Sequence, residues 1–245
     1  MRSYIMNNNI SDSLGIDTDI DIDRVIIFLG PSLKRDLALS ILDGDEIEYR
    51  PPARKGDLLK INNNRNNSND SNTLVCLIDG VFLQDYPPTP IEVYTLMQRG
   101  VKVFGAASIG ALRAVELERL GMVGIGRIFR LYKNGILEDD DEVAVTFSGD
   151  DYTLASEAMI DIRYTLYHAY KSSMISRESK RILTRIAKSI YFPYRSYDLI
   201  LEKAKGKGII DDEQLSMLKE YIKYNRRSLK EEDSIELLNH VRSML

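Results

Sequence analysis

The chain has 245 residues, 44% of them apolar and 29% charged, and 33 Lys+Arg against 37 Asp+Glu leave a formal net charge of −4. That mild acidity argues against a general nucleic-acid binder, which needs a basic stripe to displace phosphate counterions. A single cysteine, Cys76, excludes an internal disulfide framework and a four-cysteine zinc site, and His168 and His240 leave little material for a His-based metal centre.

Residues 1–22 are rich in Asn, Asp and Ser without apolar periodicity, and read as a mobile tail. Asp17, Asp19, Asp21 and Asp23 are spaced like calcium-loop ligands. Ile22 stands where the sharp-turn glycine belongs, however, and Phe28 where the bidentate Glu belongs. The tail carries no secretory pattern and no apolar run long enough for a membrane span follows, so a cytoplasmic location is expected. From Arg24 the texture changes. Residues 25–29 form a continuous β-branched and aromatic run, predicting a strand buried on both faces, which ends at Gly30-Pro31-Ser32 and passes into a helix over 33–42. A second strand over 46–49 leads into a loop, 50–57, in which Pro51 and Pro52 forbid regular structure. Residues 62–72 are an asparagine-rich insertion expected at the surface. Strands over 73–78 and 101–104 alternate with helices over 91–98 and 108–120. Beyond three glycines at 121, 124 and 126, a helix to about 134 and the acidic run 138–142, only helices are expected: 153–170, 177–191, 197–205, 211–224 and 230–244.

The alternation predicts an α/β fold, a mostly parallel sheet with flanking helices over 23–150, followed by an all-helical C-terminal part over 151–245. In such sheets ligands bind beyond the carboxyl ends of the strands. That places Gly30-Pro31-Ser32, the 50–57 loop, Asp79-Gly80 and Gly105–Gly110 on one rim.

The sharpest local signal on this rim is Gly105-Ala106-Ala107-Ser108-Ile109-Gly110, a strand, a turn of small residues and a helix opening at a serine. Its form is that of a nucleophile elbow, with the Ile109 and Gly110 amides aimed at an oxyanion. On pattern alone the simpler reading is that Ser108 caps the helix. A nucleophile needs a base. His168 is expected within a helix and His240 on the terminal one, so a desolvated lysine is the alternative. Lys55, in the proline-held loop, is preferred over Lys34, while Lys102 falls at the wrong end of its strand. Asp79 either orients such a lysine, binds a partner's amide or makes an Asx-turn. The run Glu138–Glu142 is adjacent in sequence rather than convergent, so a solvated, partner-binding or N-capping role is expected instead of Mg²⁺ binding, and no metal is assigned. Arg113 and Glu116 are expected to pair along their helix. No Walker or dinucleotide motif is present, so no cofactor is expected.

Several of these segments, taken together and in order, resemble the TfuA-like family. They are Leu29-Gly30-Pro31-Ser32-Leu33, Tyr49-Arg50-Pro51-Pro52-Ala53-Arg54-Lys55-Gly56-Asp57, Leu77-Ile78-Asp79-Gly80 and Val103-Phe104-Gly105-Ala106-Ala107-Ser108-Ile109-Gly110. The run 121–126, the acidic run 138–142 and Ser156-Glu157-Ala158-Met159 continue the series, so the resemblance spans about 25–169. It implies an accessory role beside a YcaO enzyme, which itself uses ATP to activate a backbone amide for thioamidation of a peptide or protein. It also implies a hydrolase-like Ser–Lys site that releases sulfide from a thiocarboxylated ThiS-like sulfur carrier. Ser108 is the serine carried over; Lys55 or Lys34 supplies the lysine, and Ile91 departs from a position often basic in the family. Ser32, Arg54, Asp79 and Gly80 are the expected walls for carrier or partner, with neither nucleic acid nor membrane involved. The alternative is a noncatalytic adaptor joining YcaO and carrier, with Ser108 only a helix cap.

Overall fold

A computed structural model describes residues 22–61, 72–81, 85–148 and 151–245. The expected N-terminal tail and asparagine-rich insertion lie outside these residues, apart from Ile22 and Asn72. Four strands form where the sequence predicts them: β1 (Arg24–Phe28), β2 (Ile47–Arg50), β3 (Thr73–Leu77) and β4 (Lys102–Gly105). A fifth, β5 (Val123–Gly124), has only two residues and lies in the glycine-punctuated stretch, too short to show a period. All pair in parallel in the order β2-β1-β3-β4-β5. This is one of the common doubly wound orders, and the direction in which successive strands are added reverses between β1 and β3.

The β1 residues sort by parity. Val25 and Ile27 enter one apolar cluster and Ile26 and Phe28 another, so both faces of the sheet are covered. Helices α1 (Arg35–Ile41) and, from the far end of the chain, α9 (Leu229–Arg242) cover the first face. Helices α2 (Pro90–Gln98), α3 (Ile109–Leu117) and α4 (Gly126–Lys133) cover the second.

The helix expected from 153 begins later. Residues Phe147–Ser148 (β6) and Thr153–Leu154 (β7) form an antiparallel hairpin, and α5 starts at Met159 and ends at Lys171. The Ser156 hydroxyl accepts the Thr146 amide at 2.8 Å, holding the chain extended up to the helix. Helices α6 (Arg177–Lys188), α7 (Tyr197–Gly206) and α8 (Asp212–Asn225) follow. They share an apolar cluster with α5. Helix α9 instead returns to the sheet, sealing Leu237, Leu238 and Val241 against β1, β3 and β4. Each such side chain contributes about 1.5–3 kcal/mol of burial.

Two buried aspartates lock this return. Asp161 of α5 accepts the Leu229 and Lys230 amides at 2.8 and 3.2 Å and so caps α9. Asp233 of α9 accepts the Arg127 and Ile128 amides at 2.9 and 2.7 Å and caps α4. Burial, opposed by those two amides, pushes the Asp233 carboxyl up to about 7.

Candidate functional site

The turn between β4 and α3 departs from an ordinary helix start. Ala107 has φ 62, in the left-handed region that alanine rarely enters, and the Ser108 amide donates to Ala106 O at 2.8 Å, closing a γ-turn. Such backbone strain clusters at functional sites, because the surrounding fold must hold it. The α3 helix reaches this position through two glycines. A Cβ on Gly110 would stand 1.7 Å from Leu77 O, and one on Gly105 would stand 2.2 Å from Gly110 O. Only glycine lets the helix tip approach the strand ends this closely.

Ser108 occupies the N-cap position, yet its side chain makes no cap hydrogen bond. The physical reason is its backbone, at φ −113 and ψ −124. The hydroxyls that do cap helices here, Thr89, Ser176, Ser196 and Ser228, have ψ between 117 and 162, which brings the oxygen over the third helical amide. The helix-cap reading of Ser108 is therefore corrected: among the described residues its hydroxyl has no hydrogen-bond partner, in a residue only 4% exposed. Of the two amides expected to face an oxyanion, Gly110 N–H is already taken by Ile78 O at 3.3 Å. The Ile109 N–H meets no acceptor among the described residues and stands alone at the positive end of the helix.

The lysines sit differently from the expectation of a buried base. Lys55 is exposed; its amide donates to Tyr86 O at 2.8 Å and its ammonium stands 5.7 Å from the Tyr86 ring centroid. Lys34 is exposed at the N-cap position of α1, and neither ammonium hydrogen-bonds Ser108. The Lys55 loop nevertheless lies beside the turn. Ala53 bridges to Gly80, and a Cβ on Gly80 would meet both Ile109 Cγ2 at 2.7 Å and Ala53 O at 3.1 Å. Tyr86 was not legible as a partner of Lys55, because it lies between Asp85 and Pro87 in a stretch with no period. His240 is no nearer a role: its ring packs on Phe104 at 5.7 Å, against the strand rather than the turn. Lys102 begins β4, at the opposite end of the sheet from Ser108. The open depression lined by Asp23, Arg24, Asp45 and Glu48 likewise lies at the amino ends of the strands.

The expected carrier-binding residues divide into two groups. Asp79, 1% exposed, accepts the Gly30 and Ser32 amides at 2.9 and 3.0 Å on Oδ2 and the Ser32 hydroxyl at 2.6 Å on Oδ1. Asp79 and Ser32 thus close the crevice between β1 and β3 from within, and neither an Asx-turn nor a lysine-orienting contact forms. Gly80 is packed beneath Ile109. Arg54 alone is exposed, its amide donating to Asp57 at 2.9 Å.

The acidic run is solvated only in its first part: Glu138, Asp139 and Asp140 are exposed, as expected, whereas Asp141 is half-buried and Glu142 buried among cations. Lys188 Nζ lies 3.1 Å from Asp139 and 3.0 Å from Glu142 and also pairs with Asp141. Arg163 forks onto Glu142 at 2.8 and 2.9 Å, and Arg195, 1% exposed, reaches Asp141 at 2.8 Å. Burial works to raise the Asp141 carboxyl, but the bonds from Lys188 and Arg195 outweigh it and hold the group below its usual range. The oxygens of Asp139, Asp141 and Glu142 do converge within 4.8 Å, but the Lys188 ammonium already stands among them. No described helix is long and apolar enough to cross a membrane.

A family model described as "TfuA-like protein" matches residues 79–196. The match holds Ser108, the acidic run and its partners Lys188 and Arg195, while Ser32, Arg54 and Lys55 precede it. No curated protein matches the chain.

Proposed function

Since residues 79–196 make this chain a TfuA-like protein, of a family associated with YcaO-type thioamidation, we propose that it serves a YcaO enzyme by hydrolysing a thiocarboxylated ThiS-like carrier at Ser108. The observation that carries this reading is a Ser108 hydroxyl on a strained turn, one residue before a helix-start amide, both without a hydrogen-bond partner among the described residues. In the proposed reaction Ser108 Oγ attacks the carrier's terminal carbonyl carbon. The hydroxyl proton passes to a base, the carbon–sulfur bond breaks and sulfide leaves; water then cleaves the resulting ester to carrier carboxylate and free Ser108. The Ile109 amide faces the tetrahedral oxyanion. Lys55 is the proposed base: its side chain leaves the Tyr86 ring, gives up its ammonium proton to solvent and accepts the Ser108 proton as a neutral amine, which makes Tyr86 a holding group for the resting side chain. ATP is consumed by the YcaO partner, not by this chain, which works without a cofactor on a protein substrate in the cytoplasm.

A second reading is favoured by two observations: among the described residues no ammonium meets Ser108, and the residue is almost enclosed. In that reading the chain is a docking protein that brings YcaO, carrier and peptide together without chemistry of its own. Purified chain with thiocarboxylated carrier separates the two. The hydrolase reading expects Ser108→Ala to lower sulfide release by about 10²–10⁴-fold while YcaO binding persists. Sulfide release untouched by Ser108→Ala, or absent from the unaltered chain, leaves the adaptor reading in its place.

A further inference from the structure

The charges on this chain are segregated. Residues 171–227 hold 14 Lys+Arg and 7 Asp+Glu, 14 − 7 = +7, while the remainder holds 19 and 30, 19 − 30 = −11. Part of that basic surplus borders one face of α5. Tyr164, Tyr167, His168 and Lys171 recur there at helical spacing. The His168 ring stands edge-on between Tyr164, at 4.6 Å, and Tyr167, at 5.6 Å. Arg127 lies 5.0 Å over Tyr164, and Lys171 and Lys180 each lie 6.0 Å over Tyr167, with Lys180 also 5.5 Å from Tyr170. Glu232 pairs with Arg127 and accepts from Tyr164. Lys171 and Lys180 pair with no carboxylate among the described residues.

We propose that this α5 face is a docking surface for an acidic segment of a partner protein, whose carboxylates pair with Lys171 and Lys180. Complementarity of charge selects the partner's sign, and the state of the rings selects its class. Single-stranded nucleic acid needs free aromatic faces on which bases stack. Here those faces are covered by the chain's own cations and the rings meet one another edge to face, so the surface offers ammonium groups rather than stacking platforms. An acidic segment instead gains charge-assisted contacts without displacing a ring. The site is remote in sequence from Ser108 and independent of any hydrolysis there.

His168 reports on occupancy. Burial lowers its affinity for a proton, Arg227 and Arg127 act in the same direction, and Glu232 opposes them. Carboxylates arriving beside Lys171 raise it. The test titrates a fluorescent Glu-rich peptide against the full chain at low salt, beside a single-stranded oligonucleotide of equal charge, and follows His168 by NMR. The expected result is saturable peptide binding, an upward shift of the His168 titration, and binding about tenfold weaker in Lys171→Glu/Lys180→Glu. The charge-matched control Lys203→Glu/Lys207→Glu, on α7 and at its C-terminal cap, is expected to retain binding. The proposal is overturned by absent peptide binding, an unmoved His168, an equal loss in the control, or an oligonucleotide that binds as tightly as the peptide.

Discussion

Ser228 and Ser108 hold the same place at the start of a helix and differ in what their oxygens do. Ser228 accepts the Glu231 amide at 3.0 Å, whereas the Ser108 hydroxyl bonds to nothing among the described residues. Ser228→Ala is therefore expected to cost about 1 kcal/mol in urea unfolding, and Ser108→Ala to fall within about 0.5 kcal/mol of the unaltered chain. A comparable loss in both would show that Ser108 caps after all. Asp233 gives the residue scale its pH signature. Its carboxyl is pushed from 3.8 to about 7 on folding, so across that window the folded state binds more protons than the unfolded one. Stability then declines as pH rises from about 4 to 7. Glu157, also raised to about 7, chiefly by burial and against Arg226, acts in the same direction. Thermal unfolding across this range is expected to show the decline, and Asp233→Ala to make it shallower. At this scale the sequence displayed Ser108 as a candidate through its small neighbours. Whether its hydroxyl caps the helix depends on ψ at a single residue, which composition does not encode.

The strands β1, β3 and β4 were legible because each is a short apolar run closed by glycine or a charged residue, while β2 shows only the alternation Ile47-Glu48-Tyr49-Arg50 ahead of Pro51. The hairpin β6–β7 was not, since Phe147–Ser148 and Thr153–Leu154 are too brief for alternation to appear and the Ser156 contact that extends them spans ten residues. The acidic run misled for a related reason. Its partners Arg163, Lys188 and Arg195 lie 21 to 54 residues on, so adjacency in sequence concealed convergence in space. Lys188→Met leaves three neighbouring carboxylates with less compensation and is expected to destabilise by about 2 kcal/mol; the partial exposure of Lys188 keeps this below the cost of breaking a fully buried pair. Gly110→Ala is the harsher change. With its Cβ 1.7 Å from Leu77 O, the helix tip must move, and a loss above about 3 kcal/mol or failure to fold is expected in chemical denaturation.

Across the whole molecule, the parallel sheet and the helical C-terminal part followed from the order of patterns, but the route of the last helix did not. Leu237, Leu238 and Val241 lie on one face of the last helix, and nothing in their spacing says whether that face meets the neighbouring helices or a sheet more than a hundred residues away in sequence. That return joins the first strand and the last helix in one core, and through the Asp161 and Asp233 caps it couples α5, α9 and α4. The candidate serine therefore rests on a turn whose strain is held by the entire sheet end: Gly105 and Gly110 beneath it, Asp79 and Ser32 sealing the crevice beside it, and the Lys55 loop bridged to Gly80. Such a framework suits a hydroxyl that must be presented in one geometry to a protein substrate. The most direct measurement is intact and peptide-level mass spectrometry after a single turnover with thiocarboxylated carrier. An ester-linked carrier on the peptide containing Ser108, lost in Ser108→Ala and decaying as sulfide accumulates, is the expected result. Sulfide appearing at the same rate in both chains, with no adduct on either, would contradict it.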